Sequence, residues 1–311
     1  MRPRASDLHP HAVAQALALE AELARVCRSL SAASIPVIVL KGVPLARRLH
    51  GRLGLRKSVD NDLLVREADV VVTVNVLRGL GYRDLDSRSL SASRSFTFQH
   101  PMGYSGPAGR LFVEVHWNAF TPDLFAVPAS LQWSRTEAFV VREAPVVVFD
   151  RAMTLVHLAA HAAQHYLTEP RILRDISEAW ALWHNELAMG DLVALADRTQ
   201  TREVLAWALR ASGAAPGALE TPRTRWFAAM ARPSWLSHPT PARLYCGMIL
   251  ALLMVRPSRL PRALLRGVFP PAAQMDLIYP GTAPRRRWLR YAGRPFRPLA
   301  RVLRGRAARE R

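Results

Sequence analysis

Cysteine and lysine are almost missing from this 311-residue chain, acidic residues are in short supply, and no apolar run is long. The two cysteines, Cys27 and Cys246, lie far apart and match no metal-ligand spacing, which excludes a disulfide scaffold or a zinc ribbon. The longest apolar run, Leu244 to Val255, is too short to cross a bilayer as a helix and reads as a buried core helix. The opening Met-Arg-Pro-Arg-Ala-Ser-Asp lacks the apolar core of a signal peptide, so the expected location is cytoplasmic. Lys41 and Lys57 are the only lysines, and arginine carries nearly all the positive charge.

What is present points to a folded, mostly globular chain. Hydrophobic residues make up 50% and charged residues 22%, a balance that supports a buried core rather than disorder. The net charge of +19 is unevenly placed: from Arg256 onward there are 15 arginines against Asp276 and Glu310. The body is therefore mildly basic, and an arginine-rich tail supplies most of the excess.

Periodicity divides the chain in three. Residues 1–150 read as α/β or α+β: a helix from Asp7, its N-cap, to Leu30; a buried strand over Ile35–Leu40; a short helix from Pro44 to His50; a strand over Asn61–Val65; and a helix over Glu67–Leu80. Alternation predicts further strands over Ser95–His100, Leu111–Trp117 and Val146–Phe149. Residues 151–255 are helical in spacing, with a looser Pro- and Gly-rich stretch over Gly213–Pro222. Residues 256–311 form the basic tail.

Asp60-Asn61-Asp62, leading into Leu63-Leu64-Val65, is the sharpest chemical feature. In a strand, residues two apart share a face, so Asp60 and Asp62 would lie side by side. Paired carboxylates repel unless a cation or a proton lies between them, and hard ions such as Mg²⁺ prefer oxygen ligands; the alternative is a solvated turn. Glu114 sits inside Leu111-Phe112-Val113-Glu114-Val115-His116-Trp117, where a charge is expensive unless paired or coordinated. It would share its face with Phe112 and His116 while Val113 and Val115 face the core. If the two strands are neighbours, Asp60, Asp62 and Glu114 converge on one or two Mg²⁺; otherwise Glu114 lies on the wet face of an edge strand.

Leu40-Lys41-Gly42, Gly54-Leu55-Arg56 and Asp60-Asn61-Asp62-Leu63-Leu64-Val65, in that order, resemble the uncharacterised nucleotidyltransferases of the polymerase-β-like superfamily. Glu114-Val115-His116-Trp117 looks like that family's third-acid strand, and His157 to His165 followed by Leu173-Arg174-Asp175-Ile176 resembles its helical segment. Asn61 departs from the superfamily, which more often places an apolar residue there. The resemblance implies an α+β fold: a mixed sheet flanked by helices in a nucleotidyltransferase domain over 1–150, followed by an all-helical domain. It implies transfer of a nucleoside monophosphate from an NTP to a hydroxyl acceptor, such as a small molecule, a peptide or protein side chain, or an RNA end. Asp60 and Asp62 become Mg²⁺ ligands and Glu114 a further ligand or the base. The backbone of Lys41 and Gly42 would approach the triphosphate, and Arg56 would clamp its oxygens.

His157, His161 and His165 fall on one helical face. No Glu lies between them as a hydrolytic zinc motif requires. The stripe is either a helix face packed against the sheet, with its imidazoles hydrogen-bonded, or, with His161, His165 and Asp175, part of the lining of the nucleotide or acceptor cleft. The same two readings hold for His116 beside the proposed metal face. The tail would either grip nucleic acid or an anionic surface, or dock Trp288, Tyr291 and Phe296 on the protein itself while its last dozen residues stay disordered. The competing functional reading is a catalytically degenerate module that binds nucleic acid or protein through this tail.

Overall fold

A computed structural model describes residues 10–56, 58, 60–85, 89–106, 109–122, 124–165, 169–214 and 216–230, with 253, 254, 261, 265, 269–272, 275 and 287–293 beyond them. Asp7, most of Leu244–Val255 and most of the arginine-rich tail lie outside the described residues. The fold is α+β. Two compact units divide it: Met1–Ala119 with Pro128–Thr154, and Phe120–Val127 with Leu155–Arg311.

In the first unit the elements run α1 (Pro10–Ala32), β1 (Ile38–Val39), α2 (Val43–His50), β2 (Asp60–Leu64), α3 (Val70–Gly79), β3 (Arg83–Asp84), α4 (Leu90–Phe96), β4 (Gln99–Gly106), β5 (Gly109–His116), α5 (Ala129–Ser134), β6 (Thr136–Val141) and β7 (Ala144–Phe149). The strands form one seven-stranded mixed sheet in the order β3-β4-β5-β2-β1-β7-β6. β2 runs parallel to β5 and β1 parallel to β7, while the remaining pairs are antiparallel.

Alternation along the central strands decides what faces where. Leu63 of β2 and Val113 and Val115 of β5 join Leu19, Leu23 and Leu30 of α1 and Val70, Val74 and Leu77 of α3 in one core cluster, each fully buried. Burying a side chain of that size contributes roughly 1.5–3 kcal/mol. Because the period is two, the same register sends Asp62, Glu114 and His116 to the other face. Helix α2 is delimited as its sequence predicts, with Pro44 in its first turn and Gly51 closing it in a left-handed conformation, the Gly51 N–H donating to the Arg47 carbonyl at 2.7 Å. Glu20, nearly inaccessible on α1, ties this helix down through an ion pair with Arg47 at 2.5 Å.

Three expectations change. The strand expected over Ser95–His100 begins only at Gln99, where pairing with β5 starts, and Leu90–Phe96 is helical. Six alternating residues are too few to decide between the two states, and ladder pairing overrides local preference. The strand expected over Ile35–Leu40 contracts to Ile38–Val39. Strand β6 was not foreseen: it hairpins onto β7 through Arg142 and Glu143, both at positive φ (44° and 65°).

The second unit is helical, with α6 (Arg151–Gln164) entering from the first, then α7 (Pro170–Trp183), α8 (Met189–Thr199), α9 (Arg202–Ala211) and α10 (Pro222–Met230). Val204 to Leu209 of α9 are all buried, which marks it as the central helix, touched by α7, α8 and α10. No helix among the described residues is long and apolar enough to cross a membrane.

Candidate active site

The parallel ladder between β2 and β5 sets Asp62 directly opposite Glu114, one residue pair before Leu63 and Val115 and two before Leu64 and His116. Asp60 and Asp62 thus lie in a strand rather than a turn, and the strands are neighbours as the carboxylate reading requires. Asp62 is fully buried, and the Glu114 side chain keeps 26% of its surface exposed, so the cluster opens on the Glu114 side.

His116 completes the group. Its Nε2 lies 3.1 Å from Asp62 Oδ1 and 3.4 Å from Glu114 Oε2. One ligand atom from each of Asp62, Glu114 and His116 falls within 4.8 Å of the others. Asp60 stands just outside this tightest set, although it feels both Asp62 and Glu114 electrostatically. The expected three-acid convergence therefore becomes two acids and an imidazole, with the third acid alongside. The donor chemistry fits a divalent cation: two carboxylates and, once an ion displaces its Nε2 proton, an imidazole are all metal ligands.

Internal cations offset part of the acid charge. Lys41 Nζ sits 3.4 Å from Asp62 Oδ2 with only 15% of its side chain exposed. Burial works against its charge, but Asp62, Asp60 and Glu114 outweigh that and raise its pKa, so it stays an ammonium. For His116, burial also disfavours the cation, yet hydrogen bonds to Asp62 and Glu114 push its pKa up to about 9. Asp60 is pushed up to about 6 by burial and then by the Asp62 charge, with Lys41 and Arg56 opposing.

Gly42, the N-cap of α2, has φ +77° and ψ −131°, a backbone that L side chains rarely adopt. A Cβ there would lie 3.2 Å from the Asp60 carbonyl oxygen and 3.4 Å from Asn61 Oδ1. This explains the glycine by close packing of the Lys41–Gly42 turn on β2. Asn61, between the two aspartates, points to the core side: its Nδ2 donates to the Leu19 carbonyl of α1 at 3.2 Å. Arg56 reaches Ser58 Oγ at 3.4 Å, and Ser58 Oγ lies 3.4 Å from the Asp60 carbonyl.

Gln99 is the residue that sequence reasoning missed. It pairs with His116 across β4 and β5, and its Nε2 donates to Glu114 Oε2 at 3.0 Å. Nothing in a sequence marks it, since the contact depends on register. His116 did carry a signal, two residues beyond Glu114 on the same face.

His161, His165 and Asp175 belong to the second unit and the acids to the first. There the His157 ring meets Phe120 edge-on at 5.7 Å and stacks on His161 at 6.1 Å, and the His161 and His165 rings are 4.6 Å apart. Asp175 is buried.

Among solved structures, an antigenic nucleotidyltransferase-like protein from Paracoccidioides brasiliensis is similar at 15% identity and a TM-score of 0.38, over 62% of this chain and 92% of that one. No curated protein matches the sequence. Residues 7–213 of the 311 match the family described as uncharacterised nucleotidyltransferase, a span that takes in every element from α1 to α9. The chain belongs to that nucleotidyltransferase family.

Proposed function

We propose that the protein transfers a nucleoside monophosphate from an NTP to a hydroxyl-bearing acceptor, with a divalent cation held by Asp60, Asp62 and Glu114. The observation that carries this reading is the register of Asp62 opposite Glu114, with Asp60 two residues earlier on the same face. Mg²⁺ is the ion that the family resemblance implies. A cation bound there supplies Lewis-acid stabilisation of negative charge on the phosphoryl oxygens.

The chain's own residues supply the rest. The Lys41 ammonium adds positive charge beside Asp62, where a triphosphate would bring negative charge. Gly42 keeps the preceding turn free of a side chain, and Arg56 would grip phosphate oxygens bidentately. The acceptor oxygen attacks the α-phosphorus, the bond to the bridging oxygen of pyrophosphate breaks, and the acceptor's proton passes to the partly exposed Glu114 carboxylate or to solvent. His161, His165 and Asp175 enter as candidates for acceptor recognition, each tested by substitution in the same assay.

The test is cation-dependent transfer of label from α-³²P-NTPs, with cell extract as the source of acceptor. Wild-type protein is expected to label a product, and Asp62→Asn to lose at least about 10³-fold of that rate, the several kcal/mol a catalytic cation contributes. Absence of both transfer and cation-dependent NTP binding in the wild type would overturn the reading.

A further inference from the structure

We infer that His116 is itself a metal ligand, and that the Asp62–Glu114–His116 group therefore selects a first-row transition cation over Mg²⁺. This rests on the proposed reading of the same site and sharpens it: an all-oxygen site becomes a mixed nitrogen–oxygen one.

Spacing is the first argument. Ligand atoms about 2.1 Å from one ion stand about 3.0 Å apart along an octahedral edge and about 3.4 Å apart in a tetrahedron. The His116 Nε2 distances of 3.1 Å to Asp62 Oδ1 and 3.4 Å to Glu114 Oε2 fall on those values. The same spacing serves hydrogen bonds from a protonated ring, so the donors are set for a cation in one state and for a proton in the other.

Fixation is the second. His116 closes strand β5, in register with Leu64 on one side and Gln99 on the other, and its side chain is 8% exposed. A ring so placed does not swing away from Asp62 at low cost, and an ion entering the group meets Nε2 whether or not nitrogen suits it. At the far side of the ring, Nδ1 is buried with no hydrogen-bond partner among the described residues. An ion bound at Nε2 takes the place of the proton that Nε2 otherwise directs at the two carboxylates, and Nδ1 keeps the ring's remaining proton.

Ligand preference is the third. Imidazole nitrogen suits the later first-row ions, with Mn²⁺ at the foot of that series, whereas Mg²⁺ demands oxygen, prefers near-ideal octahedra and gives up water reluctantly. A site that forces one nitrogen on its ion penalises Mg²⁺ more than its competitors. Gln99, donating to Glu114 Oε2, fixes the carboxylate on the same edge and supports the ligand geometry from behind.

Mn²⁺ is the probe. Binding to the full-length protein without nucleotide is followed by loss of the free-ion electron paramagnetic resonance signal, with Mg²⁺ as competitor, and spin-echo modulation reports a directly bound ¹⁴N. The wild type is expected to hold Mn²⁺ at least about 10-fold more tightly than Mg²⁺ and to show nitrogen modulation that changes on ¹⁵N-histidine labelling. His116→Gln is expected to abolish the modulation and weaken Mn²⁺ about 10–100-fold, while Mg²⁺ changes by less than about 3-fold. Should that variant fail to fold, the labelled wild type decides by itself. Mn²⁺ bound without nitrogen modulation, or an unchanged Mn²⁺/Mg²⁺ ratio in the variant, would overturn the inference and leave the transferase reading standing. Failure of the wild type to bind either ion, with or without NTP, would overturn both.

Discussion

His100 on β4 and His116 on β5 are both buried, one strand apart, and their surroundings differ in a way that separates structure from chemistry. His100 has one partner at each nitrogen: Ser93 Oγ at 2.9 Å from Nδ1 and Asp84 Oδ1 at 2.9 Å from Nε2. Asp84 in turn has its own cation, accepting from Arg78 at 2.8 Å. The order Ser–His–Asp has the look of a hydrolytic triad, but Ser93 is fully buried and no substrate reaches it. The group is a clamp that joins α4 to β3 and β4, with every charge matched locally. His116 instead faces two carboxylates through a single nitrogen, with a third acid and Lys41 close by. Burial and residue type are the same in the two places. Local charge balance is what differs: around His100 it closes, and around His116 there is acid to spare for a cation.

Breaking the clamp gives the largest effect on stability. His100→Ala strands the Ser93 hydroxyl in the core and takes one partner from Asp84, and is expected to cost about 2–4 kcal/mol in urea denaturation. Mn²⁺ affinity of the folded variant should stay within about 2-fold of wild type. His116→Gln should show the reverse, a large change in affinity with a smaller one in stability. If the two variants shift both quantities alike, the distinction between the histidines fails.

That distinction was only half visible in the sequence. Strand alternation placed Glu114 and His116 on one face and Val113 and Val115 on the other, because a half-buried strand writes its two faces into every second residue. The Pro44 and Gly51 limits of α2 were legible for the same local reason. Partners that depend on tertiary placement were not: Gln99 reaches Glu114 only once β4 has paired with β5, and Ser93 reaches His100 only once Leu90–Phe96 forms a helix beside β4. The β6–β7 hairpin was hidden because Arg142 and Glu143 occupy positive φ without the Asn-Gly or Asp-Gly that advertises such a turn. Asn61 stood out as an oddity, and its reason is a long-range bond to the Leu19 carbonyl of α1.

The His116 side of the comparison is also reached through the backbone, without touching any acid. Gly42→Ala places a Cβ against the Asp60 carbonyl in a conformation that disfavours it, and is expected to cost roughly 2–3 kcal/mol and to weaken Mn²⁺ binding several-fold by shifting the start of β2. At the other end of α2, Gly51 has φ +68° but nothing within 4 Å of its Cβ position. Gly51→Ala should cost about 1 kcal/mol and leave the cation affinity alone. Equal loss of affinity in both variants would show that α2, rather than the packing of Gly42 on β2, governs the site.

The surplus of acid is tested directly through pH. With Asp60 raised from 3.8 to about 6, the folded cation-free protein keeps a proton that the unfolded chain releases. Stability therefore falls as pH rises between about 4 and 6, and the full penalty stands above 6. His116 runs the same way at higher pH, since its raised pKa gives stability that is complete below 6.5 and lost only as pH climbs through 9, so it does not change within the Asp60 window. Asp60→Asn should then stabilise the cation-free protein at pH 7 by about 1–2 kcal/mol, a value discounted for partial solvent access, and by almost nothing at pH 4. A cation competing for the same carboxylate should bind more weakly below pH 6 in the wild type, and that pH dependence should flatten in the variant. Urea denaturation at the two pH values, with and without Mn²⁺, measures both. An equal gain at pH 4 and pH 7 would mean that Asp60 carries no excess charge, and the contrast with the neutralised His100 clamp would lose its electrostatic basis.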